Sequence, residues 1–125
     1  MSLTSMQSKF FVSADERGIL SAFSFQEFFQ IKRFFHIICK KDVWRGKHYH
    51  KKGTQLICLL KGSLDANIIR QNSFEKVTLK EGDVFLQEVG CQFEFKANEE
   101  NTTLLVLCDS DHDESDYFTY ERKSA

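Results

Sequence analysis

Proline is absent from this chain of 125 residues, and glycine occurs only six times. The turns must therefore rest on those few glycines together with Asn, Asp and Lys. An excess of one charge is missing too: 17 Lys and Arg stand against 18 Asp and Glu. That balance predicts no nucleic-acid or other polyanionic partner. No apolar run reaches the ~20 residues of a membrane-spanning helix, and no signal peptide is recognisable. A cytoplasmic protein with no membrane partner is expected. Cys39, Cys58, Cys91 and Cys108 form no Cys-x-x-Cys pair and lie in apolar stretches, which predicts buried, reduced thiols. A strongly amphipathic helix is also lacking.

Phenylalanine, by contrast, is abundant, with 13 residues in alternating or paired positions that suit packed strands. Residues 1–8 are polar and expected to be a flexible N-terminal segment. From residue 9 onward the pattern predicts about ten short strands, over 9–12, 19–25, 31–39, 44–50, 55–60, 64–70, 74–79, 84–89, 92–96 and 102–108. Ser24-Phe25-Gln26-Glu27 resembles a helix-start signature, so 26–30 is read as a short helical turn. The acidic stretch 109–116 is read as irregular, and 117–122 as a last strand or short helix. Short strands with turns every eight to twelve residues define an all-β sandwich or barrel, and the length suits one domain.

The stretch 44–62, Trp-Arg-Gly-Lys-His-Tyr-His-Lys-Lys-Gly-Thr-Gln-Leu-Ile-Cys-Leu-Leu-Lys-Gly, carries the chemistry. On a strand, His48 and His50 would share one face and Tyr49 would take the other. Arg45, Lys51, Lys52 and Gln55 crowd the same region, and an apolar run from Leu56 to Leu60 ends at Gly62. Histidines, cations and an amide at the mouth of an apolar strand bundle predict a small-molecule site.

The spacing His48-x-His50, four residues, Gln55, six residues, Gly62 resembles the first motif of the cupin superfamily, which has glutamate where this chain has Gln55. Gly82 and Gly90 stand where the second motif expects glycines, but Glu88 takes its proline position and Phe93 its histidine position. The resemblance implies a cupin jelly-roll barrel over 9–125 whose metal site has been dismantled, leaving no cofactor. A narrower similarity runs along nearly the whole chain: Asp15-Glu16-Arg17-Gly18, Ile31-Lys32-Arg33, Arg45 to Lys52 with Gln55, and Asp111 to Tyr117. In that order these blocks resemble the sugar-nucleotide 3,4-ketoisomerases, the WxcM-like family. That resemblance implies a metal-free homodimer that converts a dTDP-4-keto-6-deoxyglucose into its 3-keto isomer, on the way to aminated deoxysugars of bacterial surface polysaccharides.

Moving a ketone from C4 to C3 needs a proton taken from C3 and one delivered to C4, work suited to a histidine of near-neutral pKa. By residue matching, His48 is the expected base and His50 its partner or orienting group. Arg33, Arg45 or Lys52 could stabilise the enediolate. Arg17 and the same cluster could hold the diphosphate, and Gln55 a histidine or a sugar hydroxyl. Family members carry tyrosines in the strand after the Lys-Arg pair, where this chain has Phe34-Phe35-His36. His36 is therefore a third catalytic candidate. The alternative is a non-catalytic sugar-nucleotide-binding cupin that has lost the relay. Plain structural readings stand beside these: His36 as a core or edge histidine, Arg17 and Arg33 as surface ion-pair partners, and 111–116 as a solubilising loop.

Overall fold

Alternating side chains along short strands leave one face apolar, and two such faces close on each other. The structure of the chain, a computed structural model, describes residues 8–25 and 30–120. Its strands are β1 (Ser8–Asp15), β2 (Gly18–Phe25), β3 (Arg33–Cys39), β4 (Trp44–Arg45), β5 (Gln55–Lys61), β6 (Ser63–Arg70), β7 (Ser73–Lys80), β8 (Val84–Gln87), β9 (Gln92–Ala97) and β10 (Thr102–Cys108). Two four-stranded antiparallel sheets, ordered β3-β10-β5-β8 and β4-β9-β6-β7, face each other, and β1 and β2 form a separate hairpin. The expected all-β jelly roll is therefore the observed fold. The helical turn expected over 26–30 falls largely outside the described residues.

The interior is hydrocarbon. Phe85 and Phe93 stack at 4.9 Å, and Leu59, Leu64, Ile68 and Leu104 close around them with 1% exposure or less. Burying each such side chain contributes about 1.5–3 kcal/mol. A second cluster lies on the outer face of the first sheet, where Leu56, Cys58 and Leu86 are covered in part by Phe23 of β2. The four cysteines are free and buried, as expected. Burial pushes the Cys58 thiol up to about 12 and that of Cys91 to about 11.

Two strand assignments need correction. The strand expected over 44–50 stops at Arg45, because Gly46 takes φ +75°, which turns the chain out of the ladder. At 117–122 the described part is neither a full strand nor a helix. A 3₁₀ turn (Glu114–Asp116) precedes it, and Phe118 makes one isolated antiparallel bridge to Tyr49.

Candidate active site

Strand register builds the floor of the site. Arg33 pairs with Cys108, Cys108 with Gln55, and Gln55 with Gln87, so these four form one rung across the first sheet. The next inward-facing rung, two residues along each strand, is Phe35, Val106, Ile57 and Phe85. One mouth of the barrel is thus polar immediately above an apolar interior. A cavity of ≈ 210 Å³ opens there, with Phe35, Arg45, His48, Gln55, Gln87 and Tyr117 in its wall.

His48 and His50 cross this mouth on a segment that is not a strand. Their rings nonetheless lie edge to face with centroids 5.2 Å apart, while Tyr49 turns away and stacks on Tyr120 at 4.0 Å. The segment is held by its backbone: Gln87 Nε2 donates to the carbonyls of His48 (3.4 Å) and Cys91 (2.8 Å), and Gly90 N donates to the carbonyl of His50 (2.8 Å).

The acidic stretch near the C-terminus supplies the remaining wall. Asp116 is 6% exposed. Its Oδ1 accepts from the backbone N–H groups of Lys51 (2.9 Å) and Lys52 (3.1 Å), and its Oδ2 from those of Gly53 (3.1 Å) and Lys52 (3.3 Å). The same Oδ2 lies 3.5 Å from His50 Nδ1. Tyr117 lies flat on His48, with centroids 4.3 Å apart and planes 5° from parallel, and packs at right angles to the His50 ring at 5.1 Å. Its hydroxyl meets His112 Nδ1 at 3.2 Å.

Burial lowers the pKa of both imidazoles from the ordinary 6.5, because a charged ring there loses water. His50 adds repulsion to His48. For His50 the Asp116 carboxylate pulls the other way without overcoming burial, and Arg33 reinforces the lowering. Burial opposes ionisation of Asp116, but the backbone donors and His50 outweigh it and hold the carboxyl below 3.8.

Of the residues singled out from sequence, His48, Arg45 and Gln55 line the cavity. His50 and Arg33 meet in a narrow cleft beside it, sharing Gln55 and Tyr117 as walls. Three others are not brought in. His36 is exposed, because it alternates with the inward Phe35 and Ile37 and pairs with Leu105 on the outer face. Arg17 is an exposed turn residue of the β1–β2 hairpin, bonded to Asp15 at 2.7 Å. The Lys52 side chain is exposed; only its backbone serves the site. Asp116, Tyr117 and Gln87 are site residues not singled out from sequence. The only signal for the first two was their membership of the Asp111-to-Tyr117 block.

A cupin metal would need a third imidazole or a free acid converging with the histidine pair, and Asp116, the acid beside His50, has both oxygens engaged by the backbone N–H groups of Lys51, Lys52 and Gly53. The donors do not fit one: Phe93 fills the third position inside the hydrocarbon stack, and His50 turns Nδ1 toward Asp116. Among the described residues no three His, Cys, Asp or Glu side chains are grouped to hold an ion.

Two facing antiparallel sheets with a polar rung at one mouth define a cupin barrel. Within that class the chain belongs to the WxcM-like, C-terminal family (FdtA), whose model matches residues 2–123. None of the curated proteins matches the chain. Among solved structures it resembles QdtA, a sugar 3,4-ketoisomerase from Thermoanaerobacterium thermosaccharolyticum in complex with TDP. The two share 31% identity over 90% of this chain and 85% of that one, with a TM-score of 0.72. A histidine-to-asparagine mutant of that enzyme was solved with TDP-4-keto-6-deoxyglucose, with 30% identity over 90% and 84% and a TM-score of 0.72. The TDP-quinovose 3,4-ketoisomerase WlaRB from Campylobacter jejuni shares 28% over 90% and 92%, with a TM-score of 0.70.

Proposed function

We propose that the protein is a sugar-nucleotide 3,4-ketoisomerase acting on a TDP-4-keto-6-deoxyglucose type of substrate, in the cytoplasm, for deoxysugar and surface-polysaccharide biosynthesis. The observation that carries this reading is the imidazole pair. Two rings 5.2 Å apart, both biased toward the neutral form by burial, stand at the polar mouth of an apolar cavity. Membership of the WxcM-like family and the ketoisomerase neighbours support it.

The chemistry balances without an oxidant. A base takes the proton from C3, the C–H electron pair becomes the C3=C4 bond, and the carbonyl pair moves to O4, which is protonated. The enediol then loses the O3 proton, the C3 carbonyl forms, and C4 takes a proton. His48, on the cavity wall, is the base for the carbon-bound proton, and His50 is its partner for a second transfer. Arg33 and Arg45 face the developing enediolate charge. The cavity is smaller than the ~300–1,000 Å³ of typical small-molecule sites. It suits the sugar, with the diphosphate outside against Arg45.

A homodimer is part of this reading. Phe34 (69% exposed) and Ile38 (60%) stand on the outer face of β3, and Ile19 (76%) on the hairpin, an apolar surface that a second copy would cover.

One observation favours the non-catalytic alternative: the cavity-facing residue of β3 is Phe35, which has no proton to give. Incubation with TDP-4-keto-6-deoxyglucose in D2O, followed by NMR, decides between them. Deuterium entering at C3 or C4 with appearance of the 3-keto sugar is the expected result. Tight binding with no exchange overturns the enzymatic reading.

A further inference from the structure

The histidine motif leaves His50 an undefined partner and gives Asp116 no role. Burial, donors and distances define both. His50 is 6% exposed, and its Nε2 is buried with no hydrogen-bond partner among the described residues. Its other nitrogen, Nδ1, lies 3.5 Å from Asp116 Oδ2. A carboxylate has only acceptor sites, so a neutral imidazole facing it gains by carrying its proton on that side. Asp116 cannot swing away to avoid this geometry, because three consecutive backbone N–H groups, from Lys51 to Gly53, grip both its oxygens.

We infer that Asp116 is a positioning residue that holds His50 as the Nδ1–H tautomer, so that the unpartnered Nε2 is a lone-pair acceptor, and that stabilises the imidazolium once His50 has taken a proton. The inference deepens the ketoisomerase reading and rests on it for the identity of the reaction. It assigns His50 the direction of its transfer: this ring receives first and returns second. The other groups facing His50 do not supply the same control. Arg33 and His48 are cationic or become so, Tyr117 is packed ring against ring, and Asp111 and Asp113, which also line the cleft, are exposed. Of these only Asp116 is both buried and in ion-pair range of Nδ1.

Asp116→Asn gives a sharp test because the amide keeps the shape and reverses the hydrogen-bond sense at one oxygen. Placing the NH2 group at the Oδ1 position would lose the Lys51 donor at 2.9 Å and the Lys52 donor at 3.1 Å, whereas the Oδ2 position loses Gly53 at 3.1 Å and only the longer Lys52 contact at 3.3 Å. Placing it at Oδ2 makes it donate to His50 Nδ1 and drives the ring proton to Nε2. Long-range ¹H–¹⁵N spectra of the full-length, histidine-labelled protein read the tautomer directly, with His50 assigned by loss of its signals in His50→Asn. The expected result is protonated Nδ1 in the native protein and protonated Nε2 in Asp116→Asn. In the variant, kcat should fall by about 100-fold or more, as it does when a catalytic histidine is left in the wrong tautomer. TDP affinity should stay within about threefold, a split that a loosened fold would not produce. The acid limb of kcat/KM should move to lower pH, because the carboxylate that favours the imidazolium is gone.

A native His50 protonated on Nε2, or an Asp116→Asn protein within about fivefold of native kcat, overturns the inference. If the variant does not fold, the native spectrum alone decides. That spectrum needs no substrate, so it separates this inference from the reaction: native protein that turns over with Nε2–H defeats only the role of Asp116, whereas Nδ1–H with no isotope exchange defeats only the ketoisomerase.

Discussion

His48 and His50 owe their usefulness to where they are buried. A neutral ring can accept a proton, and loss of water biases both rings toward the neutral form by lowering their pKa from 6.5. The same shift costs stability in acid. As pH falls below about 6.5, the unfolded chain binds protons that the folded rings refuse, so folding weakens from there downward. Asp116, held below 3.8, adds a second window: its folded charge is favoured, and that stability is lost as pH drops from about 3.8. Urea midpoints should decline between about pH 7 and 5, and His48→Asn should flatten part of that decline. For the reaction itself, His48→Asn should lower the rate of deuterium exchange by about 10²–10⁴-fold with little change in TDP affinity. His36→Asn should alter kcat/KM by less than about threefold, since that ring is on the outside of β3. Alternation along β3 already implied this: Arg33 and His36 are an odd number of residues apart and cannot share a face.

At the level of elements, the site exists because a strand ends early. Gly46 sits at φ +75°, and a Cβ there would meet the Phe93 carbonyl oxygen at 2.7 Å and the Phe95 ring at 3.1 Å. The bend frees the next residues from the ladder and lays them across the barrel mouth. Gly46→Ala should therefore cost about 1–3 kcal/mol in denaturant unfolding. It should also reduce turnover, because the imidazoles leave their place over the polar rung. The bend was hidden in the sequence, where Arg-Gly-Lys-His-Tyr-His reads as a continued alternating strand. The alternation of His48, Tyr49 and His50 survives even so, because Tyr49 keeps one bridge, to Phe118. The 51–53 turn is likewise held from a distance, by a carboxylate more than sixty residues away.

For the whole molecule, the two hydrophobic clusters divide the work. The interior one holds the sheets together, and Phe93→Ala should cost about 3–5 kcal/mol there. On the outer face of the first sheet Phe34, paired with Leu107 of the outer cluster, and Ile38 stand exposed on the edge strand β3, which pairs only with β10 among the described strands. Sedimentation should give a mass twice the 14.6 kDa of one chain, and Phe34→Glu should shift it toward the monomer. A native protein that sediments as a single chain would defeat the dimer.

Local pattern alone determined most of the strands, the apolar interior, the buried thiols and the family, because two-residue alternation and short motifs are properties of neighbouring residues. It also picked out His48, His50, Arg33, Arg45 and Gln55. The three-dimensional fold decided what those residues face. Cross-strand register aligned Arg33, Cys108, Gln55 and Gln87 into one rung, Gly46 turned the histidines over it, and chain return brought Asp116 and Tyr117 against them. Such contacts join residues tens of positions apart, and no local spacing encodes which distant carboxylate will come to rest beside a given ring.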